Sequence, residues 1–279
     1  MSRLCVRFTP CELLDFLLVN PDNVVVHAGY WGNVTHILLE CLTFGREVRI
    51  CGSGLRHPTV FIEFLRKLKR LFPQLKVGYG GTHGTKQVVE NWQSVDQLGF
   101  LDFVALPLGT RFAGMPHGAS VWTLLPKMEL CPSELDIDPR VECFVMPHGI
   151  VGVEALFQQF HFWAPLFSVE RMLMPIATVA VQRNGEAVAL RSIEEGQFSL
   201  FREWSTGSAT LISSDGRHVV RFDDECIIRE KVLLYRRVGA LGIVMGPFSY
   251  DRSLFDYRSA WSHVRTAVQL GERKHRLFG

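Results

Sequence analysis

The chain has 279 residues, 47% hydrophobic and 21% charged, enough apolar material for one large domain or two small ones and too little charge for a disordered chain. Thirty Lys and Arg against 28 Asp and Glu leave a formal net charge of +2, so overall charge gives no argument for nucleic acid or an anionic membrane. No stretch reaches the ~18–20 uninterrupted apolar residues of a membrane-spanning helix, so no membrane partner is expected.

Near the N-terminus, Glu12 and Asp15 sit where a secretory signal would carry its apolar core. Arg3 and Arg7 without a nearby acid also suit a short organelle presequence, which stays open beside the preferred reading of a first strand, Arg3 to Phe8. The seven cysteines are odd in number and show no C-x-x-C pair. Free thiols in a reducing, intracellular compartment are therefore expected, rather than a disulfide framework or a zinc ribbon.

Residues 20–110 alternate strand and helix patterns. Val24–His27 reads as a strand ending in Ala28-Gly29, and Asn33–Leu42 has helical spacing through Val34, Ile37, Leu38 and Leu42. Glu47–Cys51 reads as a strand ending in Gly52-Ser53-Gly54. His57-Pro58 opens a helix with Phe61, Phe64, Leu65, Leu68 and Phe72 on its apolar face, closed by Pro73. Leu75–Gly78 is a further strand, Thr85–Gln97 a helix and Leu101–Leu106 a strand. Such alternation predicts a mainly parallel, helix-covered sheet, Rossmann-like, within a first domain at 1–165.

The second half, 166–279, reads as antiparallel hairpins and a C-terminal helix packed closely on the first. Asn184-Gly185 predicts a two-residue type I′ turn between Ile176–Gln182 and Glu186–Arg191, and Asp215-Gly216 a similar turn before Arg217–Phe222. Cys226–Val238 and Leu241–Met245 are expected to extend the same sheet. Asp251 is read as the cap of a last helix with Leu254, Tyr257, Trp261, Val264 and Val268 as its stripe. Met115-Pro116-His117-Gly118 recurs as Met146-Pro147-His148-Gly149, and both copies read as strand exits.

For a cofactor, the candidates are Gly29, Gly32 and Asn33 in the first turn, and Gly52, Ser53 and Gly54 in the second. Glycines after parallel strands let backbone N–H groups approach a phosphate. The spacing is G-x-x-G rather than G-x-G-x-x-G, and no acid ends the following strand, so no cofactor is fixed. For nucleic acid, Arg66, Lys67, Lys69, Arg70 and Lys76 form a basic helix face. His27, His83, His117 and His148 lack nearby carboxylates, so no metal is expected. Cys51 with His27 is a weak thiolate pair, and no catalytic residue is assigned.

None of the motif sets of kinases, P-loop proteins, α/β hydrolases, zinc deaminases or classical dehydrogenases is complete. The strand–helix pattern resembles nucleotide-cofactor domains at fold level. Two classes follow. One is a non-catalytic binding or assembly protein on an α/β scaffold, contacting RNA or protein and derived from a degenerate enzyme fold, with Phe157–Phe167 as an apolar surface. The alternative is a nucleotide-cofactor enzyme, most simply a methyltransferase-like transferase. Whether the chain is an enzyme stays open.

Overall fold

The computed structural model describes residues 3–8, 34–40, 42–44, 48–50, 66, 69–80, 102–110, 120–127, 137, 139–147, 149–190, 193, 198–203, 207–246 and 257–278. Strands β1 (Arg3–Phe8) and β2 (His36–Glu40) are followed by a short ribbon, β3 (Leu42–Phe44) with β4 (Val48–Ile50). Then come β5 (Lys76–Gly80), β6 (Phe103–Pro107), β7 (Ser120–Leu124) and β8 (Val141–Val145), helix α1 (Val153–Trp163) and β9 (Met172–Ile176). Five strands, β10 (Val179–Gln182), β11 (Ala187–Ala189), β12 (Phe198–Glu203), β13 (Ser208–Ser213) and β14 (Val219–Phe222), precede α2 (Glu225–Arg237), β15 (Gly242–Met245) and α3 (Ala260–Phe278).

Eight of these strands close into a barrel in the order β1-β15-β9-β8-β7-β6-β5-β2. This overturns the Rossmann-like expectation. A doubly wound sheet reverses its strand order and keeps two open edges. Here each barrel strand neighbours its predecessor in sequence, and the last closes onto the first, which is the (β/α)8 arrangement.

The chain divides into two compact units, residues 3–145 and residues 146–279. In the first, β1, β2, β5, β6, β7 and β8 pair in parallel, with registers such as Cys5↔His36, Leu38↔Gly78, Gly78↔Phe103 and Ala105↔Trp122. Their central residues are buried on both faces, as Phe103, Val104, Ala105 and Leu106 of β6 show.

The expected helix over Asn33–Leu42 is corrected to strand, since 36–40 is β2 and 42–44 is β3. A continuous apolar run satisfies both periods, and Ile37 and Leu38 are both fully buried, as a barrel strand requires. The expected parallel strand Glu47–Cys51 is corrected too: Val48–Ile50 pairs antiparallel with Leu42–Phe44, outside the barrel. Val24–His27 and Thr85–Gln97 lie outside the described residues, as does most of the helix opened by Pro58, of which Arg66, Lys69, Arg70 and Leu71 are helical.

One layer of the interior is set by volume exchange. Phe103 and Trp122 stack with ring centroids 3.9 Å apart, and His36 lies 5.0 Å from Trp122 and 5.7 Å from Phe103. Gly78 makes room for them: a Cβ there would lie 2.1–2.3 Å from three atoms of the Phe103 ring.

In the second unit β9 and β15 pair in parallel, so Leu241–Met245 supplies a barrel strand rather than extending the antiparallel sheet. The five-stranded sheet has the order β11-β10-β14-β13-β12 and buries Ala180, Leu190, Ile193, Leu211 and Val220. The Asn184-Gly185 turn differs in type from expectation. Gly185 N–H bonds Gln182 O, and Gln182 N–H bonds Glu186 O, so the loop has three residues with Gly185 at φ 86, a turn followed by a glycine bulge.

The segment Cys226–Val238, expected as strand, is helix α2. Asp224 caps it by accepting the Ile227 N–H, and Ile227, Ile228, Lys231, Val232 and Tyr235 fall on its buried side. Gly239 at φ 74 ends it: its N–H bonds Arg236 O while Ala240 N–H bonds Tyr235 O, a Schellman closure. In α3, Trp261 and Val264 are buried, whereas Tyr257 precedes the helix and is exposed. Asp251 lies outside the described residues.

Gly78→Ala is expected to lower stability by about 2–3 kcal/mol, the cost of overpacking a rigid core. Phe103→Leu in the same chain should recover part of that loss, because it vacates the space the methyl group needs. Denaturant melts of both single variants and the double variant check this; strictly additive losses would refute the shared-volume account.

Candidate functional site

In barrels of parallel strands, ligands and chemistry are found at the C-terminal strand ends, on the loops that follow them. Among the described residues those ends are mainly apolar. β6 runs out through Leu106-Pro107-Leu108-Gly109-Thr110, β7 through Leu124-Leu125-Pro126-Lys127, and β9 through Ile176-Ala177-Thr178. β8 leads into Met146-Pro147, and β15 ends at Met245-Gly246. Up to Val153 the described residues of these five exits carry no Asp or Glu, and exposed Glu154 follows in the first turn of α1. Glu40, the last residue of β2, is the one carboxylate that ends a barrel strand. The ladders run one residue past the strands, with Leu108 N–H on Leu124 O, Leu125 N–H on Val145 O and Met146 N–H on Leu173 O.

The loop from β8 into α1 is the most tightly held of these exits. Gly149 is left-handed, at φ 72, and lies against Val179. Gly152 (φ 86, ψ 160) adopts a backbone conformation close to glycine-only and stands at the helix N-cap. Its N–H donates to Asp223 Oδ1 at 2.8 Å. Lys231 Nζ donates to Asp223 Oδ2 at 2.5 Å and to Ile150 O at 2.9 Å. Both charged side chains are completely buried. Val153 N–H donates to Gly207 O at 3.0 Å. The sequence reading missed Asp223 and Lys231; the available signal was a lysine on the apolar stripe of α2, four residues after Ile227.

Charges gather at the opposite, N-terminal strand ends of the first unit. Asp102, just before β6, accepts from Val77 N–H at 2.8 Å, Lys69 Nζ at 2.5 Å and Lys76 Nζ at 3.3 Å. Lys69 also donates to Leu75 O. Of the predicted basic face, Arg66, Arg70 and Lys76 are exposed, Lys69 is half-buried, and Lys67 lies outside the described residues. Lys69 and Lys76 thus converge on a carboxylate instead of forming an open track for phosphates.

The predicted cofactor residues Gly29, Gly32, Asn33, Gly52, Ser53 and Gly54 all lie outside the described residues, as do His27, His83, His117 and His148. Among the described residues no three His, Cys, Asp or Glu side chains group as a metal would need, and no helix is long and apolar enough to cross a membrane.

No protein-family model and no curated protein sequence matches the chain. Solved structures share its fold. Human YKL-39, a pseudo-chitinase with retained chitooligosaccharide binding properties, superposes with TM-score 0.68 at 10% identity, covering 96% of this chain and 100% of its own. The class V chitinase of Nicotiana tobaccum in complex with NAG4 gives TM-score 0.67 at 11% identity, over 96% and 99%. A glycoside hydrolase family 18 N-acetylglucosaminidase from Paenibacillus barengoltzii gives 0.65 at 10% identity, over 95% and 99%. At such identity the likeness is one of fold. The chain shares the parallel barrel of these structures, which overturns the Rossmann-like and RNA-binding expectations and leaves no doubly wound sheet for a methyltransferase-like site.

His36, in the barrel interior, has its pKa lowered from 6.5 to about 4, by burial first and then by the nearby Arg3 charge. The folded state therefore resists a proton that the unfolded chain accepts. Its contribution is intact above about pH 7 and is lost as pH falls toward 4. At pH 5 the wild type should have lost about 2 kcal/mol more than His36→Phe, each relative to its own stability at pH 7.5. Urea melts at the two pH values check this; equal losses would remove His36 as the source.

Proposed function

We propose that the chain is a non-catalytic binding protein on a degenerate glycoside-hydrolase barrel, holding a chitin-type oligosaccharide at the C-terminal strand ends without cleaving it. The observation that carries this reading is the absence of Asp and Glu from the described exits of β6, β7, β8 (up to Val153), β9 and β15. Glycoside hydrolysis needs a positioned proton donor for the leaving oxygen, and usually a second carboxyl group for the nucleophile or the water. Asp223 cannot take that part, because it is fully buried and its oxygens are occupied by Lys231 and Gly152 N–H. Glu40, at the end of β2, and Glu154, in the first turn of α1, belong to the exits of different strands.

The comparisons add two supports. The described YKL-39 structures include one in the presence of chitooligosaccharides, and that protein is a pseudo-chitinase, so this fold can hold such a ligand without hydrolysis. The likeness also runs along nearly the whole of both chains rather than along one motif.

Titration with chitotetraose should give saturable binding, while prolonged incubation releases no new reducing ends. Glu40→Gln should leave that baseline unchanged. Hydrolysis by the wild type that Glu40→Gln abolishes would overturn the non-catalytic half of the reading. Absence of any binding to chitotetraose would overturn the other half.

A further inference from the structure

We propose that Asp223 and Lys231 are positioning residues for the oligosaccharide site: their buried ion pair fixes the backbone at Ile150 and Gly152, and through it the partly exposed Gly149, Val151 and Val153 that a ligand would meet. The inference rests on the reading of the rim as a binding surface. It starts from a sequence feature that the function leaves unused, the second Met-Pro-His-Gly copy at 146–149.

That segment is held at five points. Met146 N–H bonds Leu173 O on β9. Gly149 lies against Val179 of β10. Ile150 O receives Lys231 Nζ, Gly152 N–H is received by Asp223 Oδ1, and Val153 N–H bonds Gly207 O. Gly207, at φ 57, fits under Val153 so closely that a Cβ there would lie 2.7 Å from the Val153 Cβ. Four of the five anchors belong to the segment between β9 and β15.

Two of these anchors are formed by charges with no exposure to solvent. A buried ion pair is a poor source of stability, since apolar side chains of similar volume often serve as well or better. It is a demanding source of geometry, because each oxygen and each ammonium hydrogen must meet its partner in one arrangement. Asp223 divides its two oxygens between the backbone of the loop and Lys231, and Lys231 divides its donors between Asp223 and the loop. Loops after the strands of such barrels form the ligand site, and a site is only as defined as the groups that hold its loops.

The test replaces the pair with apolar side chains, Asp223→Leu with Lys231→Met, and separately uses Gly207→Ala, which disturbs the same loop while leaving the charges alone. Three quantities are measured on the full chain: the thermal midpoint, the dissociation constant for chitotetraose, and amide exchange of residues 146–153. The double variant is expected to melt cooperatively near the wild type, to exchange faster in that segment, and to bind chitotetraose about tenfold or more weakly. Gly207→Ala should weaken binding in the same direction, and it decides the matter if the double variant fails to fold. Unchanged affinity in a folded variant would overturn the positioning role, whatever the exchange shows. A wild type that does not bind chitotetraose overturns the rim reading, and the positioning role with it. Loss of binding confined to the variants cannot be confused with that outcome.

Discussion

A closed barrel has no free edge to take up an error, so the side chains that point inward must fill a fixed volume. In the first unit this constraint is met by exchange between neighbouring strands. Gly78 of β5 gives up its side chain so that Phe103 of β6 can lie across it, and Phe103 in turn stacks on Trp122 of β7. Gly80 repeats the arrangement one pleat further on, where a Cβ would lie 2.9 Å from a methyl carbon of Leu38 and 3.2 Å from Ala105 Cβ. The neutral imidazole of His36 belongs to the same packing. Between these strands the space is filled as a core is.

The distribution of charge then separates the two ends. In the first unit the N-terminal strand ends carry Asp102 with Lys69 and Lys76, and Ser120 Oγ bonded to Glu142 at 2.6 Å. Conserving such pairs serves the register of the strands, because Asp102 also takes the Val77 N–H of the neighbouring strand. The described exits at the opposite ends are mainly apolar, with Glu40 and Lys127 as charges. Two of the described acids are committed to structure, Asp102 to the base of the barrel and Asp223 to a buried pair.

Two barrel strands were legible between 75 and 107, where β5 and β6 fall close to the runs Leu75–Gly78 and Leu101–Leu106. The two hairpins were legible as well, because Gly185 and Gly216 occupy left-handed turn positions, at φ 86 and φ 70. Closure was not legible, for a physical reason. Rossmann units and (β/α)8 barrels share the same right-handed strand–helix–strand step, and only the number of steps distinguishes them. Here the count is hidden twice: β7 and β8 are short runs of five residues each, and a five-stranded sheet interrupts the chain between β9 and β15. Glycines at predicted strand ends suggested a phosphate site, but the more telling signal was the lack of an acid after Asp102 in Leu101–Pro107. That lack acquires meaning only once the strand is known to end at a barrel rim.

Helix α2 links these points. Read as a strand, Cys226–Val238 offers Ile227, Ile228, Val232, Tyr235 and Val238 as strand formers, and Lys231 is one charge among Arg229, Glu230, Arg236 and Arg237. Read as a helix, the same residues place Lys231 beside Ile227, Ile228, Val232 and Tyr235 on one face, where an unpartnered ammonium would be costly to bury. The partner is eight residues earlier, in the turn that ends β14, and the next residue, Asp224, caps the helix while accepting Arg202 Nε of β12 at 2.6 Å. Adjacent aspartates therefore do different work: Asp224 ties the inserted sheet to the start of α2, and Asp223 ties the same helix to the loop leaving β8. One turn further along the same face, Tyr235 Oη donates to Pro175 O in β9 at 2.6 Å, and burial raises its pKa well above the usual value, which keeps the donor protonated. One amphipathic helix thus fixes a barrel strand, an inserted sheet and a rim loop through three hydrogen-bonded polar side chains, two of them on an otherwise apolar face.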